Sequence, residues 1–288
     1  MTPMEICTTK AALRNAVSGW RAAGDRIGLV PTMGALHEGH LTLVRAAKAD
    51  CGRVVASIFV NPTQFGDPAD LAKYPRTEEA DLAALKAEGV DAVFMPSADE
   101  MYHPEAQTIV ETEALAGMLM GALRPGHYRG VCTVVAKLLN CAMPDAAFFG
   151  EKDYQQLLVI NTMVRDLDMP FEIKGVPTVR EADGLAMSSR NMRLDPADRA
   201  ASTVLSKSLA MAEARIQNGA EAPDLEAEVA AFIKAEPRAT VETVDIRDAQ
   251  TLAPLNGPIT RPAVILLAAR FGDVLLIDQR VAAPKGNS

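Results

Sequence analysis

The first 178 residues alternate between short apolar runs and longer segments in which apolar side chains recur at helical spacing. Most of the runs are apolar throughout, which is typical of strands that are buried on both faces. They lie at Ile27–Val30, Val54–Val60, Val90–Met95, Ala146–Phe149 and Phe171–Val176. The helical segments lie at Lys10–Ala23, Leu41–Asp50, Thr77–Glu88, Val131–Cys141 and Asp153–Leu167, and Thr77 is expected to cap the third of them. This alternation predicts a doubly wound parallel sheet with right-handed crossovers, a Rossmann-like α/β domain.

The chain after about residue 178 has a different pattern. Two helical segments, Pro196–Gln217 and Pro223–Ala235, come first. Three strand-like runs follow them, at Val241–Ile246, Ala263–Ala268 and Val274–Ile277. Helices followed by strands predict a second, smaller α+β domain. We therefore expect two domains, residues 1–178 and residues 179–288.

Composition narrows the class of protein. The chain has 288 residues, of which 49% are hydrophobic and 23% charged, so it is globular rather than disordered. A formal net charge of -8 argues against nucleic acid as a partner. The apolar stretches are too short to span a bilayer, and the first residues lack the features of a signal peptide. With four scattered cysteines (Cys7, Cys51, Cys132 and Cys141), these features predict a cytoplasmic protein with reduced thiols.

The densest group of candidate functional residues follows the first predicted strand. The segment Pro31–His40 opens a helix and contains two of the chain's four histidines, His37 and His40. Doubly wound sheets bind ligands beyond the carboxyl ends of their strands, and a helix N-terminus favours phosphate. Residues three apart share a helix face, so we expect both imidazoles to lie there together. Zinc is the less favoured interpretation, because His103 and His127 are distant in sequence and no third ligand has a recognisable spacing.

Three further polar segments are candidates. Asn61–Phe65 follows the second predicted strand and offers neutral amides to hydroxyl and carbonyl groups. Gly150–Gln156 places Lys152 at a helix start, where a cation opposes the helix dipole and indicates a nearby anion. Met187–Arg190, near the expected domain junction, combines two hydroxyls with a guanidinium. Taken singly, each segment is also typical of an ordinary surface turn.

Together with the segment Val176–Asn191, these motifs resemble the signatures of the pantothenate synthetase family over about residues 5–280. The Val176–Asn191 segment is highly specific, whereas the His-x-Gly-His core also occurs in nucleotidylyltransferases and class I aminoacyl-tRNA synthetases. The resemblance implies an ATP- and Mg²⁺-dependent ligase that condenses pantoate with β-alanine through a pantoyl-adenylate, releasing AMP and pyrophosphate. It also implies a cytoplasmic homodimer with no nucleic-acid or membrane partner. Residues 1–178 would bind ATP and pantoate, and residues 179–288 would act as a lid.

The resemblance also implies roles for individual residues. His40 would be the acid catalyst, and His37 and Lys152 would act on the phosphates. The implied ATP-binding positions are Met33, Gly34, Ala35, Leu36, His37, Glu38, Gly39, His40, Gly150, Glu151, Lys152, Asp153, Val179, Met187, Ser188, Ser189 and Arg190. The implied substrate-binding positions, for pantoate and β-alanine, are Gln64, Gln156, Asn61, Tyr74 and Arg124. Asp81 matches a position associated with the metal.

Two other classes of function stay open at this stage. A nucleotidylyltransferase would use the same His-x-Gly-His motif to transfer AMP to a phosphorylated acceptor and keep it there. Such an acceptor would call for a second basic pocket, whereas the candidate acceptor groups here are the amides of Gln64 and Gln156. A non-catalytic nucleotide-binding protein would release no pyrophosphate.

Overall fold

The computed structural model describes residues 3–285, so the first two residues of the expected first domain and the last three of the second lie outside it. The chain divides into two compact units. One comprises Met1–Glu151 and Gln155–Pro177, and the other comprises Lys152–Tyr154 and Thr178–Ser288. Among residues 3–285, no helix combines the length and the apolar character needed to cross a membrane.

A six-stranded sheet forms the centre of the first unit. Its strands are β1 (Glu5–Cys7), β2 (Ile27–Thr32), β3 (Arg53–Ile58), β4 (Ala92–Phe94), β5 (Ala146–Gly150) and β6 (Glu172–Val176). They are ordered β1-β4-β3-β2-β5-β6, and every neighbouring pair is parallel. The α-helices of this part of the chain are α1 (Lys10–Ala22), α2 (Glu38–Asp50), α3 (Pro68–Ala72), α4 (Glu78–Ala87), α5 (Ala98–Met101), α6 (Met120–Leu123), α7 (His127–Ala142) and α8 (Tyr154–Asp166). The predicted doubly wound parallel sheet is confirmed.

Helices cover both faces of this sheet, and the side chains of each strand alternate between them. In β2, Ile27 and Leu29 belong to one apolar cluster, which also contains Leu13 of α1 and Leu139 of α7. Val30 belongs to a second cluster, which contains residues of α2 and α4. Because both faces are buried, a ligand can reach this sheet only at the ends of its strands.

The strand order reverses at β2. From β2 the chain builds outward through β3 to β4 on one side, and it then returns to place β5 and β6 on the other. The gap above such a reversal is where doubly wound sheets bind ligands, because the loops diverge there. The segments that follow β2, β3 and β5 therefore emerge at neighbouring positions on one edge of the sheet. These are three of the segments singled out from the sequence.

The second unit has its own sheet and core. It contains α9 (Pro196–Ala201), α10 (Val204–Gln217) and α11 (Ala222–Lys234), followed by β7 (Ala239–Asp248), β8 (Ala263–Phe271) and β9 (Val274–Ala282). The three strands are antiparallel in the order β7-β8-β9. Leu205 and Leu209 of α10 pack in one apolar cluster with Val229 of α11 and with Ile265 and Leu267 of β8. The predicted small α+β domain is confirmed.

Several boundaries differ from the predicted ones. The edge strand β1 was not predicted, since three residues with only Cys7 buried carry too little pattern. The single helix expected over Pro196–Gln217 is divided into α9 and α10. At the division, the hydroxyls of Ser202 and Thr203 donate to carbonyls three residues back, a bond that competes with regular helix. Thr77 occupies the position before α4, but its hydroxyl makes no cap and donates instead to Asp81 Oδ1 at 3.1 Å.

Candidate active site

His37 and His40 lie together where α2 begins, with their ring centroids 4.1 Å apart. His37 Nδ1 accepts the N–H of Gly39 at 3.1 Å, and His40 Nδ1 accepts the N–H of His37 at 3.3 Å. The histidines thus cap their own helix. Since each Nδ1 accepts a hydrogen bond, each neutral imidazole carries its hydrogen on Nε2. This tautomer supplies two Nε2–H donors at one helix start, and phosphate oxygens accept from donors of this kind.

The loop between β2 and α2 is held closed by its own side chains and by Asp81. The N–H of Gly34 donates to Thr32 Oγ1 at 3.2 Å. The N–H groups of Ala35 and Leu36 donate to the two oxygens of Asp81, at 2.9 and 2.8 Å. The sequence suggested that backbone N–H groups at this helix start would hold phosphate. The N–H groups of Gly34, Ala35 and Leu36, which precede that helix, already have partners within the protein.

Asp81, the residue that the sequence associated with a metal ion, lies in α4. Among residues 3–285, no group of three histidine, cysteine or acidic side chains is arranged to hold one. Both oxygens of Asp81 already accept backbone N–H groups. The residue is buried, with only 3% of its surface exposed. Both carboxylate oxygens of Asp81, the residue that the resemblance associates with the metal, are thus engaged by the loop after β2.

Asn61, after β3, is fully hydrogen-bonded within the protein. Its Oδ1 accepts from the Tyr102 hydroxyl at 2.7 Å and from both the N–H and the hydroxyl of Thr63, at 3.3 and 3.0 Å. Its Nδ2 donates to Gln64 Oε1 at 3.0 Å and to the carbonyl of Gly130 at 3.2 Å. Asn61 has 1% of its surface exposed, and its amide orients Gln64.

Gln64 is presented in one defined orientation. Because its Oε1 accepts from Asn61, its Nε2 faces Met33 Sδ, 3.2 Å away on the loop after β2. Its backbone carbonyl accepts from His127 Nδ1 at 2.9 Å. The structure thus brings the segments after β2 and β3 into contact. Burial raises the pKa of Tyr102, which keeps its phenol protonated as the donor to Asn61.

Tyr102 and His127 are the supporting residues that sequence reasoning missed here. They lie 41 and 63 residues from their partners, and no local motif connects them. The only available signal was indirect. His127 opens α7, and Gly130, one turn later, is the point at which α7 approaches the Asn61–Gln64 turn most closely.

The two consecutive glutamines at the start of α8 have different surroundings. Gln155 is buried; its Nε2 donates to the carbonyls of Leu115 and Met118, at 3.0 and 2.8 Å, and its Oε1 accepts from Met120. It thus secures a loop in which Leu119 has a positive φ of 51°. Gln156 is half-buried, and its amide has no hydrogen-bond partner within residues 3–285. Its amide is therefore available to a ligand.

Three other predicted residues have partners of their own. Tyr74 packs edge-on against Phe65, with ring centroids 5.8 Å apart, which places it beside the Asn61–Phe65 segment. Arg124 lies 3.7 Å from the carboxylate of Asp70. Glu38 forms an ion pair with Arg45, which lowers the pKa of its carboxyl.

Of the remaining predicted nucleotide-binding residues, Gly150 and Glu151 belong to the first unit. The second unit contains Lys152, Asp153, Val179 and Met187–Arg190. Lys152, Ser188 and Arg190 line a narrow pocket of about 10 Å³, room for about one water molecule. Val179 and Met187 are paired, because the carbonyl of Val179 accepts the N–H of Met187 at 2.9 Å. Neither Lys152 nor Arg190 has a carboxylate partner among the residues the structure describes. Two unneutralised cations around one pocket suit an anion.

A buried ion pair supports the segment that leads to Ser188. Arg180 donates from both terminal nitrogens to the carboxylate of Asp278, at 2.8 and 3.0 Å, and also to the carbonyl of Gly184. Arg180 and Ala186 form an antiparallel bridge, so this guanidinium secures a short hairpin to β9. Because the two parallel hydrogen bonds fix the guanidinium relative to β9, they also fix the position of the hairpin that leads to Ser188.

Comparison with known proteins gives a consistent result. A family model described as Pantoate-beta-alanine ligase matches residues 5–281. A pantothenate synthetase from Bartonella tribocorum is 51% identical over 284 residues, 98% of this chain and 99% of the relative. A pantothenate synthetase from Agrobacterium fabrum is 50% identical over 279 residues, 96% of each chain.

Solved structures agree with these sequence matches. The crystal structure of pantothenate synthetase from Thermus thermophilus has a TM-score of 0.90 at 43% identity, covering 96% of this chain and 99% of that one. Pantoate-beta-alanine ligase from Francisella tularensis, complexed with beta-gamma ATP and beta-alanine, has a TM-score of 0.80 at 32% identity. It covers 96% of this chain and 97% of that one.

The close contact at Gly130 yields a stability prediction. A Cβ added there would lie 2.5 Å from the carbonyl oxygen of Thr63 and 2.6 Å from backbone atoms of Gln64. Backbone atoms cannot move away as a flexible side chain can, so the added methyl group would displace the turn or the helix. We expect Gly130→Ala to lower the free energy of unfolding by about 1–3 kcal/mol in denaturant titrations. Gly19→Ala is the matched control, because Gly19 is also helical but its added Cβ meets nothing within 4 Å. The free energy of unfolding of the control should rise by up to about 1 kcal/mol, because alanine favours a helix more than glycine does. Equal effects of the two substitutions would contradict the contact.

Proposed function

The chain belongs to the pantoate-beta-alanine ligase family, and from that premise we propose that it activates pantoate with ATP before β-alanine attacks. As a member of the family it is a ligase, and the reaction joins the carboxyl of pantoate to the amine of β-alanine in pantothenate biosynthesis. A carboxylate is a poor acylating agent because its oxygen leaves poorly. Attack of that oxygen on the α-phosphorus of ATP converts it into the leaving group AMP and releases pyrophosphate.

The first step brings two anions together, so the protein must supply positive charge and hydrogen-bond donors. In this proposal His37 and His40 act through their Nε2–H groups, and His40 is the acid of the adenylation step. Donors that are already fixed in place cost no reorganisation when charge develops. The helix cap through Nδ1 provides that fixation, because it holds each ring in one tautomer.

Lys152 and Arg190 are the cations that we assign to the phosphates. Their lack of carboxylate partners within residues 3–285 supports the assignment, as does the position of both beside Ser188. We further propose that Met33–His40, Gly150–Asp153, Val179 and Met187–Arg190 together form the ATP site. The C-terminal unit would then act as the lid that the sequence suggested.

Gln64 and Gln156 are the amides that we assign to pantoate. An amide offers two donors and one acceptor, which suits a hydroxy acid that both donates and accepts. Gln64 is oriented by Asn61, and the amide of Gln156 has no partner in the described residues. In the second step the amine of β-alanine attacks the activated carbonyl and expels AMP. Holding the two reactants in position supplies much of the rate enhancement of this step, so the step requires no nucleophilic side chain.

Magnesium enters this proposal with ATP rather than as a resident ion. Mg²⁺ is commonly held by substrate phosphates with few protein ligands, and the described side chains offer no three-residue cage. We assign no step to it. The resemblance also supports a cytoplasmic homodimer, and the four buried, free cysteines suit a reducing compartment.

One observation carries the proposal: the loop bearing His37 and His40 meets the oriented amide of Gln64 at the carboxyl edge of the sheet, through the 3.2 Å contact of Gln64 Nε2 with Met33 Sδ. The competing nucleotidylyltransferase would need a cationic acceptor pocket beside that edge, whereas the acceptor groups found there are amides.

The adenylation step can be tested by replacing His40 and Lys152. We expect His40→Ala and Lys152→Ala each to slow pantoate-dependent pyrophosphate release by roughly a hundred- to thousandfold, the usual cost of losing one preorganised donor. Reaction of β-alanine with pre-made pantoyl-adenylate should be largely preserved. His103→Ala and Lys86→Ala are the matched controls, because both residues are exposed. Normal pyrophosphate release by His40→Ala or Lys152→Ala would refute these assignments, and stable adenylation of a phosphorylated acceptor would favour the alternative.

Pantoate binding can be tested at Gln156. We expect Gln156→Ala to weaken pantoate by roughly tenfold or more, because loss of one hydrogen-bond partner costs about 1–3 kcal/mol. The affinity for ATP should be unchanged in titration calorimetry, since the amide is not assigned to phosphate. Gln107→Ala, at an exposed position, is the control. Unchanged pantoate affinity with an intact fold, or an equal loss for both ligands, would rule the assignment out.

A further inference from the structure

The loop that carries the two histidines has an unfavourable backbone conformation. Gly34 and Ala35 both have positive φ, 82° and 51°. Glycine adopts such angles readily, but for alanine the left-handed region brings Cβ against the following carbonyl. A non-glycine residue in this region persists only where neighbouring groups hold it, and such strain is concentrated at functional sites. The loop therefore needs an external anchor.

Asp81 is that anchor. Its two carboxylate oxygens accept the N–H groups of Ala35 and Leu36, at 2.9 and 2.8 Å, one oxygen to each. Thr77 donates its hydroxyl to Oδ1 from the preceding turn and so directs the carboxylate. The contact is also tight, because a Cβ on Gly34 would lie 3.0 Å from Asp81 Oδ2.

The surroundings of Asp81 exclude an ordinary ion pair. Asp81 is 3% exposed, and no Lys, Arg or His in the part of the chain that the structure describes forms a salt bridge with it. A buried carboxylate without a cation is unfavourable unless hydrogen bonds stabilise its charge. Here two of the three donors are N–H groups of the strained loop, so the charge of Asp81 is coupled to the loop conformation.

We propose that Asp81 is a positioning residue for adenylation: through the backbone of Ala35 and Leu36 it holds the loop so that His37 and His40 stand at the start of α2. The inference rests on the proposed function of those histidines. It explains the presence of a buried, unpaired acid on α4, and it replaces direct metal binding with a role exerted through the loop. Without the carboxylate, the loop relaxes and the imidazole pair loses its fixed place.

The test compares Asp81→Asn with Asp91→Asn. Asparagine keeps the shape of aspartate but turns an N–H₂ group toward one of the two loop N–H groups, so that the paired arrangement fails. Asp91 is a matched control because its carboxylate also accepts a backbone N–H, that of Val54, at 2.8 Å. Val54 lies at the start of β3, at the edge of the sheet opposite to the candidate site. Thr77→Val, which removes only the directing hydroxyl, is a milder second variant should Asp81→Asn fold poorly.

Two measurements are made on each variant. In amide hydrogen exchange, Asp81→Asn should lose protection at Ala35 and Leu36 and retain it at Val54, whereas Asp91→Asn should show the reverse. In pantoate-dependent pyrophosphate release, Asp81→Asn should fall by about a hundredfold, the scale of a misplacement of about 1 Å. Its reaction with pre-made pantoyl-adenylate should be unchanged, and Asp91→Asn should adenylate normally. Thr77→Val should slow pantoate-dependent pyrophosphate release less than Asp81→Asn does.

Three results would overturn the proposal. Retained protection at Ala35 and Leu36 in Asp81→Asn would remove its structural basis. Recovery of the rate on raising the Mg²⁺ concentration would assign Asp81 to the metal instead. An equal loss of adenylation in Asp91→Asn would make the effect one of general stability. Failure of the proposed function can be distinguished from failure of the Asp81 proposal. In that case the unsubstituted protein itself would release no pantoate-dependent pyrophosphate, whatever the hydrogen-exchange pattern of the variants.

Discussion

The structure of the first unit depends on a parallel sheet whose two faces are both covered by helices. Val30 and Leu29, neighbours in β2, belong to apolar clusters on opposite sides. A sheet of this kind leaves only its strand ends open, and its parallel direction brings the ends of β2, β3 and β5 to one edge. Of the residues that we propose to bind the substrates, His37, His40 and Gln64 lie on segments that leave that edge.

Hydrogen bonds within the protein orient several of the residues that we propose to bind the substrates. Tyr102 and Asn61 set the orientation of the Gln64 amide, and Gln155 secures the loop that contains Leu119. In the second unit the buried carboxylate of Asp278 secures Arg180 in the same way. Each support contains a buried polar group whose partners are backbone groups or side chains that are at least partly buried. Such groups are costly unless they are satisfied, and they therefore define one arrangement.

Local pattern predicted the sheet and the two domains of different class, and it singled out the segments in which we place the candidate site. It did so because apolar runs, helix spacing and strand-to-helix junctions are properties of contiguous residues. The supports were not predictable in this way. The Tyr102–Asn61 bond joins residues 41 apart, and the Asp81–Ala35 bond joins residues 46 apart. Thr77 was wrongly predicted as a cap, because its hydroxyl donates to Asp81, four residues later in α4, a residue that also bonds the loop after β2.

The central claim is that the carboxylate of pantoate is activated by bonding to the α-phosphorus of ATP. It is tested most directly with pantoate labelled with ¹⁸O in both carboxylate oxygens. Attack on the α-phosphorus followed by displacement by β-alanine leaves one of these oxygens on AMP and the other in the new amide. We predict AMP carrying a single ¹⁸O by mass spectrometry. Unlabelled AMP, or ¹⁸O in inorganic phosphate formed together with ADP, would contradict the account.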